Sequence, residues 1–339
     1  MRTNGYTVTP AQYVLAAYVA LGALTLIVLT GAAVRLTGSG LGCPTWPKCY
    51  GNVYPPLNTH AVIEFSNRVI TVPVSIAAGA AWLLALRRRP YRRDLMRLGA
   101  LLPLGVVGQA VLGGFTVKGA LDYGWVMGHF ALSMLILLAA VLLVWRATHE
   151  PQELGADAVG GAGLAEQPPA SDPTIVRAAR ALAVFGAVTI VAGTAATAAG
   201  PHAGGSPGQK INRLDFDGRG TMDFVIHRHA EIALVFSLCA VALWWFARRR
   251  EAAADVQRSL TVLCVLLALQ GVVGLDQYET HLPAELVWVH VGLACAAWLS
   301  VLWAACAAGR LAPRAAVNTS ERAAEAPLRQ VAPLKFPGN

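Results

Sequence analysis

Eight apolar runs recur along the chain, at approximately 12–34, 61–85, 98–117, 125–145, 178–200, 224–247, 259–275 and 285–308, each bounded by a polar stretch. About 20 apolar residues in a helix cross the hydrocarbon core of a bilayer. Each run therefore predicts a transmembrane helix, and the expected fold is an all-α integral membrane protein with eight spans. Composition agrees: 55% of the 339 residues are hydrophobic and 14% are charged, against about a quarter charged in soluble domains. Mean hydropathy is +0.51.

The polar stretches alternate in charge. "RRRPYRR" (87–93) follows the second run, Arg248, Arg249 and Arg250 follow the sixth, and Arg146, Arg177 and Arg180 flank the connection between the fourth and fifth. Lys118 stands alone after the third run, and nothing basic lies between Gln270 and Val287. Basic loops face the cytoplasm, so both termini are expected there, in a multi-pass protein of the cytoplasmic membrane. This placement accounts for the net charge of +8 without a nucleic-acid partner. The polar N-terminus shows no small-residue cleavage site after a short apolar core, so no cleavable signal peptide is expected.

Residues 148–176, rich in Gly, Ala, Pro and acids, read as a flexible cytoplasmic linker, and 309–339 as a similar disordered tail. The linker divides the spans into an N-terminal half, 1–147, and a C-terminal half, 177–308. The halves echo each other. "GQAVLGGFTV" (108–117) resembles "LQGVVGLDQY" (269–278), "VLTGAAVRLTGSG" (28–40) weakly resembles "IVAGTAATAAGPH" (190–202), and Gln109 precedes His129 by the same 20 positions as Gln270 precedes His290. Two pseudo-symmetric four-helix bundles are expected, related by an axis along the membrane normal.

The loop "GLGCPTWPKCYG" (40–51) carries Cys43 and Cys49. On the outer side of the membrane a disulfide persists, and two prolines favour a turn that brings the thiols together. Cys239, Cys264, Cys295 and Cys306 fall within spans and are expected as small buried apolar residues. Trp46 and Trp125 are expected in the interfacial belt.

Ionisable side chains within spans are costly and mark function. Here they sit near the starts of the even-numbered spans: Glu64, Asn67 and Arg68 in "IEFSNRVI", His129 in "VMGHFALS", His227, Arg228 and His229 in "IHRHAEIA", and His290 in "VWVHVGLA". All four spans run inward, so these residues share one depth. Imidazoles at matched depth on neighbouring helices can grip a planar haem through its iron; a zinc site would want four tetrahedral ligands. His227 and His229 point roughly 200° apart on a helix, and the repeat spacing does not choose between them.

"GSGLGCPTWPKCYG", then "EFSNR", then histidines in spans four, six and eight together resemble the haem A synthase family across roughly 12–308. The resemblance implies oxidation of a haem O methyl group, through the alcohol, to the formyl group of haem A, which serves the terminal haem–copper oxidase. It implies a haem b in the C-terminal half on His290 and a span-six histidine. His229 is favoured because "HAE" resembles the "HAD"-like segment of one branch, with His227 as the alternative. It implies His129 as ligand to the substrate haem, Glu64 as catalytic carboxylate, and Cys43 and Cys49 as a redox-active or structural pair. Arg35, Arg68 and Arg228 are candidate partners for haem propionates, with an ion pair to Glu64 as a second role for Arg68. Many members carry His where this chain has Asn67, so the substrate haem is expected to be five-coordinate on His129. Some relatives also carry a cysteine pair in the segment that here spans 201–223, where this chain has none. Haem O synthase, cytochrome oxidase assembly factors, membrane lipids and further copies of the chain are the expected partners. Two other classes fit less of the pattern: a di-haem b-type cytochrome passing electrons from quinol, against which Asn67 counts, and a transporter, whose polar residues would sit at the midplane.

Overall fold

The computed structural model describes residues 6–149, 172–216 and 220–309. Among these lie eight helices: α1 (Pro10–Leu36), α2 (Thr59–Arg87), α3 (Arg93–Lys118), α4 (Tyr123–Thr148), α5 (Pro173–Ala199), α6 (Thr221–Arg249), α7 (Ala254–Glu279) and α8 (Ala284–Gly309). Each is long and apolar enough to cross a bilayer, and the protein is a multi-pass membrane protein.

The helices outrun the apolar stretches because their ends are set by capping chemistry. The Thr9 hydroxyl accepts from the Gln12 N–H while the Gln12 side chain accepts from the Thr9 N–H, and Pro10 takes the first helical position. Asn58 caps α2 through the Ala61 N–H at 2.8 Å. Asp172 accepts from the Thr174 N–H at 2.8 Å with Pro173 behind it, so the last residues of the expected linker are the first turn of α5. The linker's first residue, Thr148, closes α4 with His149 as cap, and residues 150–171, with the tail beyond Gly309, lie outside the described residues.

Within each half every helix packs on its neighbours in sequence and the fourth closes on the first: α1–α2–α3–α4–α1 and α5–α6–α7–α8–α5. The halves meet where α8 packs on α1 and α4, and where α4 packs on α5. Trp298 Nε1 donates to the Met134 carbonyl across this seam at 3.1 Å, and Trp288 Nε1 to the Leu29 carbonyl at 3.0 Å. Backbones approach closely because the buried stripes hold many alanines, as helix pairs in lipid require.

The buried stripes repeat in register. Tyr13, Ala17, Ala20 and Leu24 of α1 recur 162 positions on as Ile175, Ala179, Leu182 and Gly186 of α5. Val74, Ala78, Ala81 and Ala85 of α2 recur at the same offset as Phe236, Ala240, Leu243 and Ala247 of α6. From α3 the offset is 161: Leu95, Gly99 and Leu102 become Val256, Leu260 and Leu263, and Met134, Leu137, Val141 and Trp145 become Cys295, Trp298, Leu302 and Cys306. The connection between the third pair of helices and the second is one residue shorter in the C-terminal half.

Cys295 and Cys306 are buried as expected, but Cys239 is exposed and Cys264 half-buried. Cys239 stands one position before the buried stripe of α6, which turns it about 100° away from the bundle.

Candidate functional site

The starts of α2, α4, α6 and α8 lie at one end of the bundle, under a cap made by the loops that precede them. The cap joins the halves. Gly40 N–H donates to the Gly204 carbonyl at 2.8 Å, and the Ser206 hydroxyl to the Gly38 carbonyl at 2.9 Å. Arg35 donates to the His202 and Thr197 carbonyls at 2.9 and 3.1 Å, and His202 Nε2 meets the Leu282 carbonyl at 2.7 Å. Arg35 therefore acts here as a cross-half tie.

Below the cap in the C-terminal half, the rings of His229 on α6 and His290 on α8 lie next to each other, centres 6.3 Å apart and planes at 75°. Two imidazoles that bind one metal from opposite sides have ring centres about 6 Å apart, given a metal–nitrogen bond of about 2.0 Å. Nδ1 of each ring is buried with no hydrogen-bond partner, and the Thr189 carbonyl lies beside the His229 ring. Glycines make room for both: a Cβ on Gly193 would sit 3.0 Å from His229 Cε1, and one on Gly274 3.3 Å from His290 Cε1. His227 is exposed, bonds through Nδ1 to the Asp223 carbonyl at 2.7 Å, and lies edge-on to Tyr278. It does not face His290.

The N-terminal half repeats this arrangement with one change. His129 stands 161 positions before His290, and Gly113 stands by its ring as Gly274 does by that of His290. The position 162 before His229 is Asn67. Nδ1 of His129 and Oδ1 of Asn67 are buried without partners. Sequence reasoning noticed the Gln109–His129 and Gln270–His290 spacing but not its use: each glutamine amide donates to the backbone carbonyl of its histidine, at 3.0 and 3.1 Å. Each fixes the height of one α-helical turn against its neighbour.

Glu64 and Arg68 sit one turn apart on α2, beneath the cysteine loop. The expected Cys43–Cys49 disulfide is present, and both half-cystines are fully buried against Ala61 and Phe65. A Cβ on Gly42 would lie 2.2 Å from the His60 carbonyl oxygen, so only glycine lets the loop come down on α2. The Cys43 N–H then donates to Glu64 Oε2 at 2.6 Å. The other Glu64 oxygen accepts from Arg68, with both side chains nearly buried. Arg68 also donates to the Cys43, Thr45 and Pro47 carbonyls at 3.0, 3.0 and 3.2 Å and lies 4.9 Å over the Trp46 ring. A loop with no regular structure has its carbonyls collected by one guanidinium, which suits arginine's fork of donors. Trp46, half-buried, packs edge-on over α3, where a Cβ on Gly114 would meet it at 2.8 Å. Trp125 is exposed and stacks on Phe115. Arg228 is exposed, in an ion pair with Glu231 at 2.7 Å.

Two adjacent histidines under a loop-capped end, and a half-matching site in a repeated bundle, restrict the families that fit. A family model described as cytochrome oxidase assembly protein matches residues 15–302.

The chain belongs to the cytochrome oxidase assembly protein family.

Relatives of this cytochrome oxidase assembly protein bear the name heme A synthase. That of Lysinibacillus sphaericus is 36% identical over 128 residues, 36% of this chain and 40% of that protein. That of Bacillus pumilus is 32% identical over 137 residues, 39% of this chain and 44% of that protein. That of Shewanella oneidensis is 26% identical over 300 residues, 79% of this chain and 88% of that protein. The chain thus spans under half the length of the first two and most of the third.

Proposed function

We propose that this protein is a haem A synthase, which oxidises a methyl group of haem O to a formyl group, and that it works with a haem b as resident cofactor. The observation that carries the reading is the pair His229 and His290, whose ring centres stand 6.3 Å apart, the separation of two imidazoles on one metal, at the buried heart of the C-terminal half. In this reading His229 and His290 hold the haem b, which supplies one-electron redox chemistry. His129 holds the iron of the substrate haem. The relatives named above support the substrate.

Oxidation of a methyl group on a conjugated ring builds positive charge at its carbon. A fixed carboxylate stabilises that charge and takes the proton of attacking water. Glu64 is the acid placed for this in the N-terminal half, and its geometry is fixed by Cys43 and Arg68. One oxygen turned to a backbone N–H and the other to a guanidinium hold the carboxyl group at a single height and orientation. The cap excludes water from above: the disulfide loop and Trp46 cover the α2–α3 side. With both termini cytoplasmic, this end faces outward.

The test is purification of the full chain from cells that make haem O, followed by absorption spectroscopy and chromatography of the extracted pigment. Haem B together with haem O or haem A is the expected result. Haem B alone in two equivalents would favour a di-haem cytochrome, and a colourless protein would remove every haem reading.

A further inference from the structure

We propose that the N-terminal half contains a pocket of imidazole size, between Gly31 and Asn67, that admits a small neutral Lewis base to the open face of an iron held by His129. This deepens the haem reading above and rests on it.

The argument comes from the chain's own repeat. Gly193 and His229 are 36 positions apart, and so are Gly31 and Asn67. In the C-terminal half the His229 ring fills the space beside Gly193: an added Cβ would meet three ring atoms between 3.0 and 3.5 Å. In the N-terminal half an added Cβ on Gly31 meets nothing within 4 Å. Gly31 is half-buried. It continues the buried stripe Ala17, Ala20, Leu24, Val28 at helical spacing, as Gly193 continues that of α5. The difference is the side chain opposite. Asparagine is about two heavy atoms shorter than the imidazole ring needs, and its buried Oδ1 has no partner. His129 on the other side keeps its counterpart's place, where a Cβ added on Gly113 would lie 3.6 Å from its ring. One half therefore presents two imidazoles and the other presents one imidazole facing a space bounded by an amide. The amide bears both a donor and an acceptor, which suits a bound water, a diatomic molecule or an azole but provides no counter-charge for an anion.

The probes are carbon monoxide and free imidazole, added to detergent-purified full-length protein carrying its haems. Carbon monoxide should bind one of the two haem populations of the reduced protein. Imidazole should convert that same population from high-spin to low-spin. Asn67→His should produce the low-spin spectrum without added imidazole and weaken carbon monoxide binding at least tenfold. Gly31→Val, which narrows the pocket without touching a ligand, should weaken imidazole binding in a protein that keeps both haems. A haem-loaded protein whose spectrum neither probe alters, or an Asn67→His protein that binds carbon monoxide as the parent does, overturns the pocket while leaving the haem reading intact. A purified protein without haem overturns both.

Discussion

Replacing Arg68 by methionine removes the one cation that closes the cysteine loop onto α2. The side chains of Arg68 and Glu64 are only 13% and 8% exposed, so solvent does little to screen their interaction. Removing one partner of a buried pair costs about 3–5 kcal/mol, because the other charge is left uncompensated. The hydrogen bonds from Arg68 to the Cys43, Thr45 and Pro47 carbonyls are lost at the same time, but the Thr45 and Pro47 carbonyls lie near the surface and can turn to water, and the Cys43 carbonyl reaches water once the loop lifts. We therefore take the lower figure, about 3 kcal/mol, for opening of the cap. At 1.4 kcal/mol per tenfold, that raises the open population by roughly 100-fold. Hydrogen exchange read by mass spectrometry on a peptide spanning 38–51 reports this directly, since the Cys43 N–H is bonded to Glu64. Exchange there should accelerate by about two orders of magnitude, with little change in the mid-span peptides of α4 and α8. Adding Glu64→Gln should restore much of the protection, since no buried charge then lacks a partner. Exchange within threefold of the parent, or a double variant that opens as far as the single one, would refute the clamp.

Glu64→Ala should leave the haem b spectrum in place while haem A production stops, as read by chromatography of extracted pigment; normal haem A output would remove Glu64 from the chemistry. Gly193→Ala places a Cβ 3.0 Å from His229 Cε1 and should shift or broaden the low-spin absorption bands, whereas Gly31→Ala, which meets nothing within 4 Å, should not; equal spectra for the two would contradict the packing described. Trp298→Phe removes the hydrogen bond to the Met134 carbonyl across the seam and should cost about 1 kcal/mol, seen as a lower unfolding temperature in detergent; an unchanged temperature would show that this bond adds nothing to the joining of the halves.

The helices were legible because bilayer thickness imposes a minimum apolar length, and eight runs met it. Their ends were less so. Arg93 and Asp94 open α3, yet hydrophobicity alone stops well short of them; Asp172 and Pro173 carry a readable start signal inside a stretch whose composition suggested a linker. The shared depth of Glu64, Asn67, His129, His229 and His290 was legible because it needs only helix direction. The choice between His227 and His229 was not, since two positions on a helix differ in facing and spacing alone does not fix facing. The signal that bears on it was present but faint: the glycine of "VLTGAAV" and that of "IVAGTAA" stand 36 positions before Asn67 and His229 respectively. The register of the buried stripes is nearly invisible to identity, because Tyr13 answers to Ile175 and Trp145 to Cys306. What lipid-facing packing preserves is position and burial, with residue type free to vary. Arg68 was legible only in part: its ion pair with Glu64 follows from the i, i+4 spacing, but the loop it closes does not. Its other partners are carbonyls of a loop some 20 positions earlier, and a backbone acceptor leaves no mark on the sequence.

The pairing of His229 and His290 is tested most directly by near-infrared magnetic circular dichroism of the oxidised, purified protein, which distinguishes the axial ligands of low-spin haem iron. A bis-imidazole signature is predicted in the parent and in His227→Ala, and its loss is predicted in both His229→Ala and His290→Ala. A signature that survives His229→Ala and disappears in His227→Ala, or one that is absent from the haem-bearing parent, would contradict the account.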